Sequence, residues 1–151
     1  MTVMDIARES VVSLPTTTSV SDVARTMQDQ SVTTVIIVEE DKPIGIVSDR
    51  DLAFIMLSGE VDPETTTVEE AVDLNGGLVT MPSDAGIYDL VERMSETGTR
   101  RVPITEDGDL VGIVSLSDVI VLLGMELQHV ANTLRTVAPA YEKPATELYD
   151  H

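Results

Sequence analysis

The chain has 151 residues, enough for one ordinary domain or two small ones, and carries 27 acidic residues against nine basic ones, a net charge of −18. So acidic a surface repels nucleic acid and anionic membranes, and we expect it to bind neither. An apolar content of 42% argues against intrinsic disorder, and the lack of cysteine excludes disulfides, zinc thiolate sites and cysteine nucleophiles.

The charge balance also indicates the setting of the protein. Carboxylates are abundant and only two of the nine basic residues are lysines, which favours a halophile-like protein that works in high salt, where screening removes self-repulsion. A moderately acidic protein from an ordinary habitat is the alternative. No apolar stretch approaches the roughly 20 residues needed to span a bilayer, and residues 1–10 lack the apolar core of a signal peptide. We therefore expect a cytoplasmic protein.

In chain order, the first half predicts a β-α-β-β-α unit. A short strand is expected over residues 11–14, closed by Pro15. Apolar residues spaced i, i+3, i+4 and i+7 over residues 20–27 predict a helix with one buried face. A β-branched run over residues 32–38 predicts the second strand, and the third ends at Ser48, where another apolar helix begins.

The second half repeats this order. Residues 12–56 slide onto residues 79–123 without a gap, and most positions that differ exchange one apolar residue for another. The clearest copies are residues 45–51 (GIVSDRD) and 112–118 (GIVSLSD). Two copies of one unit predict two copies of one pocket. Because a unit of about 60 residues buries too little surface to be comfortably stable alone, the two should pack as one pseudo-symmetric module.

The end of the chain differs from the repeats. Residues 117–138 show helical spacing and predict one long helix with Gly124 as its weak point. The helix leaves apolar residues uncovered, and a second copy of the chain is the simplest cover. We divide the chain into residues 1–62, the first repeat with its N-terminal segment; 63–124, a linker and the second repeat; and 125–151, a helical extension and flexible tail.

A serine and an aspartate three residues later stand where the third strand of each repeat meets its helix. The pairs are Ser48 with Asp51 and Ser115 with Asp118. Helix capping explains each pair, because an N-cap serine accepts a backbone hydrogen bond and an acid in the first turn suits the helix dipole. Ligand binding is compatible with capping. A helix N-terminus favours phosphate, and a carboxylate can accept two hydrogen bonds from a ribose diol.

The sequence Gly-Ile-Val-Ser-x-x-Asp, present twice in two β-α-β-β-α units, resembles the motif of cystathionine-β-synthase (CBS) domains in tandem, called a Bateman module. The resemblance covers residues 2–124. It implies an α+β fold of two βαββα repeats packed as a pseudo-twofold CBS pair, here with a C-terminal helical extension. It also implies adenosine compounds bound in clefts between the repeats, and a homodimer shaped as a flat disc of four repeats.

The resemblance implies a role for each motif residue. The aspartates hold the ribose hydroxyls and the serines approach the ribose or phosphate, which concerns Asp51, Asp118, Ser48 and Ser115. Basic residues just before the second strand of a repeat meet phosphates, and Arg100 and Arg101 occupy that place. Residues 33–34 of the first repeat are threonines instead. We therefore expect the stronger site at Asp118, with Arg50 compensating in part at the other site.

In the family, a segment before the first strand of each repeat completes the site, often from the repeat opposite the aspartate. Residues 2–7 would complete the Asp118 site and residues 67–72 the Asp51 site. Apolar residues there and early in each second strand would sandwich the adenine, although core packing explains each one singly. The residues concerned are Thr2, Ile6, Ala7, Val102 and Pro103 for one site, and Thr67, Ala71, Val72 and Val35 for the other.

The chain offers little material for catalysis. His129 and His151 stand in no motif with a nucleophile or an acidic orienter, and neighbouring carboxylates such as Glu69 and Glu70 lack the spacing of metal ligands. We expect no enzyme, no metal and no cofactor.

The sequence instead predicts a regulatory module that senses an adenosine-containing ligand. AMP or ADP is the first expectation, with S-adenosylmethionine or ATP next. Occupancy would shift the relative orientation of the repeats and signal to a regulated protein partner. The alternative is a structural or dimerisation module whose nucleotide sites are vestigial.

Overall fold

The computed structural model describes residues 1–74 and 76–137, and the tail predicted over residues 138–151 lies outside the described residues. The chain forms two compact units, Met1–Ser115 and a second that begins at Leu116. The domain boundaries expected after residues 62 and 124 stay predictions.

The first repeat is a three-stranded sheet with two helices. Its strands are β1 (Ser13–Pro15), β2 (Thr34–Glu39) and β3 (Lys42–Ser48), in that spatial order. Strand β1 pairs parallel with β2, and β2 pairs antiparallel with β3. Helix α1 (Val20–Gln30) connects β1 to β2, and α2 (Asp49–Ser58) follows β3. This confirms the predicted β-α-β-β-α order.

The second sheet copies the first. Its strands are β4 (Met81–Pro82), β5 (Arg101–Glu106) and β6 (Asp109–Ser115). The linker helix α3 (Val68–Ala71) precedes β4, and α4 (Ile87–Thr97) connects β4 to β5. The strand order and directions are the same. The register shift between Ile37 and Val38 recurs at the equivalent pair, Ile104 and Thr105. The two repeats therefore share their irregularities as well as their order, and the predicted α+β fold is confirmed.

The first strand of each repeat lies further along the chain than expected. The strand predicted over residues 11–14 and its copy in the second repeat, which the 67-residue offset puts at residues 78–81, are observed at Ser13–Pro15 and Met81–Pro82, so each proline belongs to its strand. Both strands are at a sheet edge. Proline is tolerated there because one side of the strand needs no backbone donor.

The helix–sheet packing follows the predicted apolar spacing. Ser19 caps α1, its Oγ accepting a hydrogen bond from the Asp22 amide at 3.1 Å. The apolar stripe of α1 lies in the core of the first repeat, whose buried residues are Val20, Val23, Met27, Val35, Ile37, Val47, Leu52 and Val68. In the second repeat, Leu90 and Met94 of α4 are buried in the same way.

The two repeats of the first unit exchange segments. The first arm (residues 2–8) precedes the first repeat but bonds to the second: the Val3 amide donates to Ala85 O at 2.9 Å, and the Arg8 amide to Ile113 O at 2.9 Å. The second arm (residues 67–74) precedes the second repeat but bonds to the first, the Val68 amide donating to Thr18 O at 2.8 Å. Each repeat is thus completed by the arm of the other.

The motif glycines lie where the arms cross the sheets. A Cβ on Gly112 would lie 3.2 Å from Ala7 Cβ and 3.3 Å from Arg8 O. A Cβ on Gly45 would lie 2.5 Å from Leu74 Cδ2. The repeated glycine therefore permits a close approach that any side chain would obstruct.

Equivalent hairpins of the two repeats also meet. Lys42 Nζ lies 3.2 Å from Asp109 Oδ1, and the Leu110 amide donates to Asp41 O at 2.9 Å. Lys42 and Asp109 occupy equivalent positions in the gapless alignment of the repeats, as expected for residues beside a pseudo-twofold axis. Because both side chains are more than half exposed, this ion pair contributes about 0–1 kcal/mol and mainly fixes the pairing of the hairpins.

The second unit contains α5 (Leu116–Val137), which runs through Gly124 without a break. The predicted C-terminal helix is therefore present. None of the helices in residues 1–74 and 76–137 combines the length and apolar character needed to cross a membrane.

We predict that Gly45→Ala lowers the free energy of unfolding by about 1–3 kcal/mol, because the new methyl group would displace Leu74. Leu74→Ala removes the obstruction, so the double variant should lose less stability than the sum of the single losses. Urea unfolding measures all three values. Gly76→Ala is the control, since the nearest atom to its Cβ is Asp73 O at 3.8 Å. If the stability losses of the two single variants simply add in the double variant, the close contact between Gly45 and Leu74 would be contradicted.

Candidate functional site

The N-terminus of α2 carries the serine and aspartate of the first motif. The Ser48 amide donates to Asp51 Oδ2 at 2.8 Å, and the Asp51 amide donates to Ser48 Oγ at 3.1 Å. This reciprocal pair is a capping box. Both residues are half-buried. The box engages Oδ2 of Asp51, and Oδ1 accepts no hydrogen bond from the described residues.

The backbone amides at this helix end already have acceptors. The Asp49 amide donates to Thr33 O at 2.9 Å and the Arg50 amide to Asp49 Oδ1 at 2.8 Å. The Asp51 amide donates to Ser48. A phosphate at this point would therefore have to bind through a side chain, because the amides of the first turn are engaged.

An arginine of the second repeat reaches this helix end. Arg101 Nη2 lies 3.5 Å from Thr33 Oγ1, a long hydrogen bond between two exposed side chains. Thr33 O in turn accepts from the Asp49 amide of α2. The sequence lacks basic residues at positions 33–34, and the fold places one there from the other repeat. Arg101 and Thr33 belong to different repeats. Their contact could therefore be found only from the packing of the two repeats and not from the sequence.

The other two candidate arginines, Arg50 and Arg100, are also exposed. The guanidinium carbon of Arg50 lies 5.4 Å from the ring centroid of Phe54, a cation–π pair along the exposed face of α2. Arg100 is exposed just before β5.

The strand residues proposed for the adenine are core residues. Val35 and Val102 have no accessible surface, and Pro103 is buried. The side chains of Val35 and Val102 are thus closed to a ligand in this structure.

The second arm forms one wall of a cavity of about 460 Å³. Its apolar lining is Ile44, Ala71, Val72 and Leu74, and its acidic lining is Glu39, Glu69, Glu70 and Asp73. Thr67 lies at the start of this arm in a capping box with Glu70, at 3.0 and 3.3 Å. The cavity brings Ala71 and Val72 together with Ile44 and Leu74, two residues that no motif of the sequence marks. Ser48 and Asp51 do not line it.

The first arm begins with a tight turn. The Thr2 amide donates to Asp5 Oδ2 at 2.6 Å at the start of a short 3₁₀ helix, Val3–Asp5. Ile6 and Ala7 follow and are half-buried. Ser115 ends β6 in the first unit, whereas Asp118 lies in the first turn of α5 in the second. The site expected at Asp118 stays a prediction.

Residues 1–74 and 76–137 contain no group of three or more histidine, aspartate or glutamate side chains that could hold a metal ion.

The chain matches the sequence model of the CBS domain twice, over residues 3–58 and 75–124. It is similar to an uncharacterised protein of Methanopyrus kandleri, with 30% identity over 122 residues that cover 80% of this chain and 61% of that protein. The chain thus spans about three fifths of that relative's length.

Solved structures show the same fold. Hypoxic Response Protein I, crystallised with two coordinated zinc ions, is 26% identical with a TM-score of 0.70, over 80% of this chain and 97% of that one. The CBS domain pair of protein MJ0100 is 22% identical with a TM-score of 0.66, over 82% and 99%. That protein was solved with 5′-methylthioadenosine and S-adenosylmethionine.

We predict that Ser48→Ala lowers the free energy of unfolding by about 1 kcal/mol, because the Asp51 amide loses its acceptor. Ser48→Asn supplies another acceptor and should stay within a few tenths of a kcal/mol of the wild type. Chemical denaturation compares the two variants. Equal stability of Ser48→Ala and the wild type would show that the capping box does not hold α2.

Proposed function

The chain belongs to the CBS-domain family as a tandem pair, a class of regulatory ligand-binding modules, and we propose that it senses an adenosine-containing small molecule through its motif aspartates. Binding would favour one relative orientation of the two repeats over another. A protein partner, in the cytoplasm, would respond to that change. We assign the module no catalysis, and we propose that it works as a homodimer.

The contact between Arg101 and Thr33 is the observation that supports this proposal best. Asp51 at the start of α2 offers an acceptor to a ribose diol through Oδ1, and Arg101 offers a guanidinium to a phosphate. These two groups come from different repeats. A nucleotide that engages both would stabilise the arrangement in which the second repeat reaches the first, which is what a sensor requires.

The ligand class follows from the charges nearby. One arginine at the helix end, with the first-turn amides engaged, suits one or two phosphates, so AMP or ADP is the first candidate. S-adenosylmethionine is the second, because its cationic sulfonium and ammonium groups suit the carboxylates that line the cavity beside Ala71 and Val72. The adenosine ligands of the MJ0100 pair support the class as a whole.

We propose the same chemistry for the second motif. Ser115 and Asp118 repeat Ser48 and Asp51 in the gapless alignment of the two halves. Arg100 and Pro103 of the second repeat, and Thr2, Ile6 and Ala7 of the first arm, are the further candidates for that site.

A thermal-shift panel in molar KCl tests the proposal, with adenosine, AMP, ADP, ATP, S-adenosylmethionine and NAD. At about 100 times its dissociation constant, the true ligand should stabilise the protein by roughly 2.7 kcal/mol. Asp51→Asn keeps an acceptor for the Ser48 amide but loses the charge, so it should keep the fold and lose the response. Asp118→Asn reports on the second motif in the same way.

Arg101→Gln separates the candidates. It should weaken AMP and ADP at least tenfold while sparing adenosine, whereas Arg93→Gln, which removes an exposed arginine near Glu96, serves as the matched control. If the ligand is S-adenosylmethionine, which has no phosphate, Arg101→Gln should leave its dissociation constant unchanged. If none of the compounds shifts the melting temperature, the structural or dimerisation module with vestigial sites replaces the sensor.

A further inference from the structure

Helix α5 carries an exposed apolar seam. Its members recur at alternating steps of four and three residues: Leu116, Ile120, Leu123, Leu127, Val130 and Leu134. From Ile120 onward each is more than half exposed, up to 70% at Leu127. Alternating steps of four and three make a heptad repeat, which keeps apolar side chains in line along one face of a helix.

Polar residues lie off this seam in the later half of the helix. Gln128 Nε2 donates to Asn132 Oδ1 at 3.0 Å, and Arg135 Nη1 donates to the same oxygen at 3.0 Å. Val121 and Met125 are exposed apolar residues off the seam, both in the earlier half. The later half therefore has one apolar stripe and one polar face, the pattern of a helix that packs against a single partner helix.

The charge of the helix favours a second copy as that partner. Asp118, Glu126 and Arg135 are the charged residues of α5, so it contributes −1 to a net charge of −18. Two copies of so acidic a chain repel each other over most of their surfaces, but α5 adds little to that repulsion for its length of 22 residues. An identical helix also has the same heptad spacing, which is the condition for knobs to enter holes along the whole seam.

The length of α5 fits the same conclusion. Its 22 residues span about 33 Å and roughly three heptads. A helix gains most of its stability from packing its apolar face, so a seam left in water would make α5 marginal. Pairing covers six side chains on each copy.

We propose that α5 pairs with α5 of a second copy along this seam, as a two-stranded coiled coil. The proposal assigns the interface of the proposed homodimer to the seam of α5. The seam continues to Leu134, beyond residue 124, where the second CBS match ends. It does not depend on nucleotide binding.

The test compares Leu127→Lys with Gln128→Lys by sedimentation equilibrium of the full chain in molar KCl. Both variants add one lysine to an exposed position of the same helix turn, but only Leu127 belongs to the seam. Leu127→Lys should raise the dimer dissociation constant about 100-fold or more, since each dimer loses two seam leucines. Gln128→Lys should change it less than threefold.

Leu134→Lys, near the helix end, repeats the test should Leu127→Lys lose helicity by circular dichroism. The nucleotide response of the variants separates this proposal from the sensor, because a seam variant that dissociates yet still responds to ligand supports both. A wild type that stays monomeric at every concentration would overturn the pairing. Equal association of the wild type and both seam variants would overturn it too, as would equal weakening by Gln128→Lys.

Discussion

The close crossing of each arm over a motif glycine is the contact on which the first unit depends. The first arm passes Gly112 with Ala7 Cβ and Arg8 O within 3.3 Å of where a Cβ would lie, and the second passes Gly45 against Leu74. Because each arm precedes one repeat and bonds to the other, neither repeat has a complete set of backbone partners alone. The exchange explains why two repeats of about 60 residues each share one compact unit, Met1–Ser115.

The exchange also explains how a binding site can report on the relation between the repeats. The arms and the Lys42–Asp109 contact join the two repeats, and the side chain of Arg101, the first residue of β5, reaches Thr33, which lies just before β2. Arg101 thereby reaches the helix end that carries Asp51. Under the proposed function, a ligand that binds across this junction would have different contacts in any other arrangement of the repeats, and that difference would be the origin of a regulatory signal.

Much of the fold was predictable from the sequence, for physical reasons. Helical spacing located α1 and α4, and the gapless repeat predicted the two sheets. The gapless register does not extend to the start of the arms, although it holds where Ala7 and Leu74 cross the equivalent glycines. Thr2 forms a β-bridge with Gly86, and Thr67 forms the equivalent bridge with Ser19. Ser19 and Gly86 are 67 residues apart, as the gapless alignment requires. The same offset would match Thr2 with Glu69 instead of Thr67.

Other features of the site were hidden from the sequence. Residues 35–38 of β2 are all apolar, so the strand pattern left both core packing and adenine contact open for Val35, and the structure places its side chain in the core. Arg101 meeting Thr33 is a tertiary contact that no local pattern encodes.

Native-state hydrogen exchange tests the central claim, that the exchanged arms and the sheets form one cooperative structure. The amides to follow are Val3, bonded to Ala85 O, and Val68, bonded to Thr18 O, with Ile36, bonded to Val12 O at 3.0 Å, as the sheet reference. We predict that all three amides open with the same free energy, that of global unfolding. Arm amides that exchange several kcal/mol below Ile36 would show that the arms open on their own, and would contradict it.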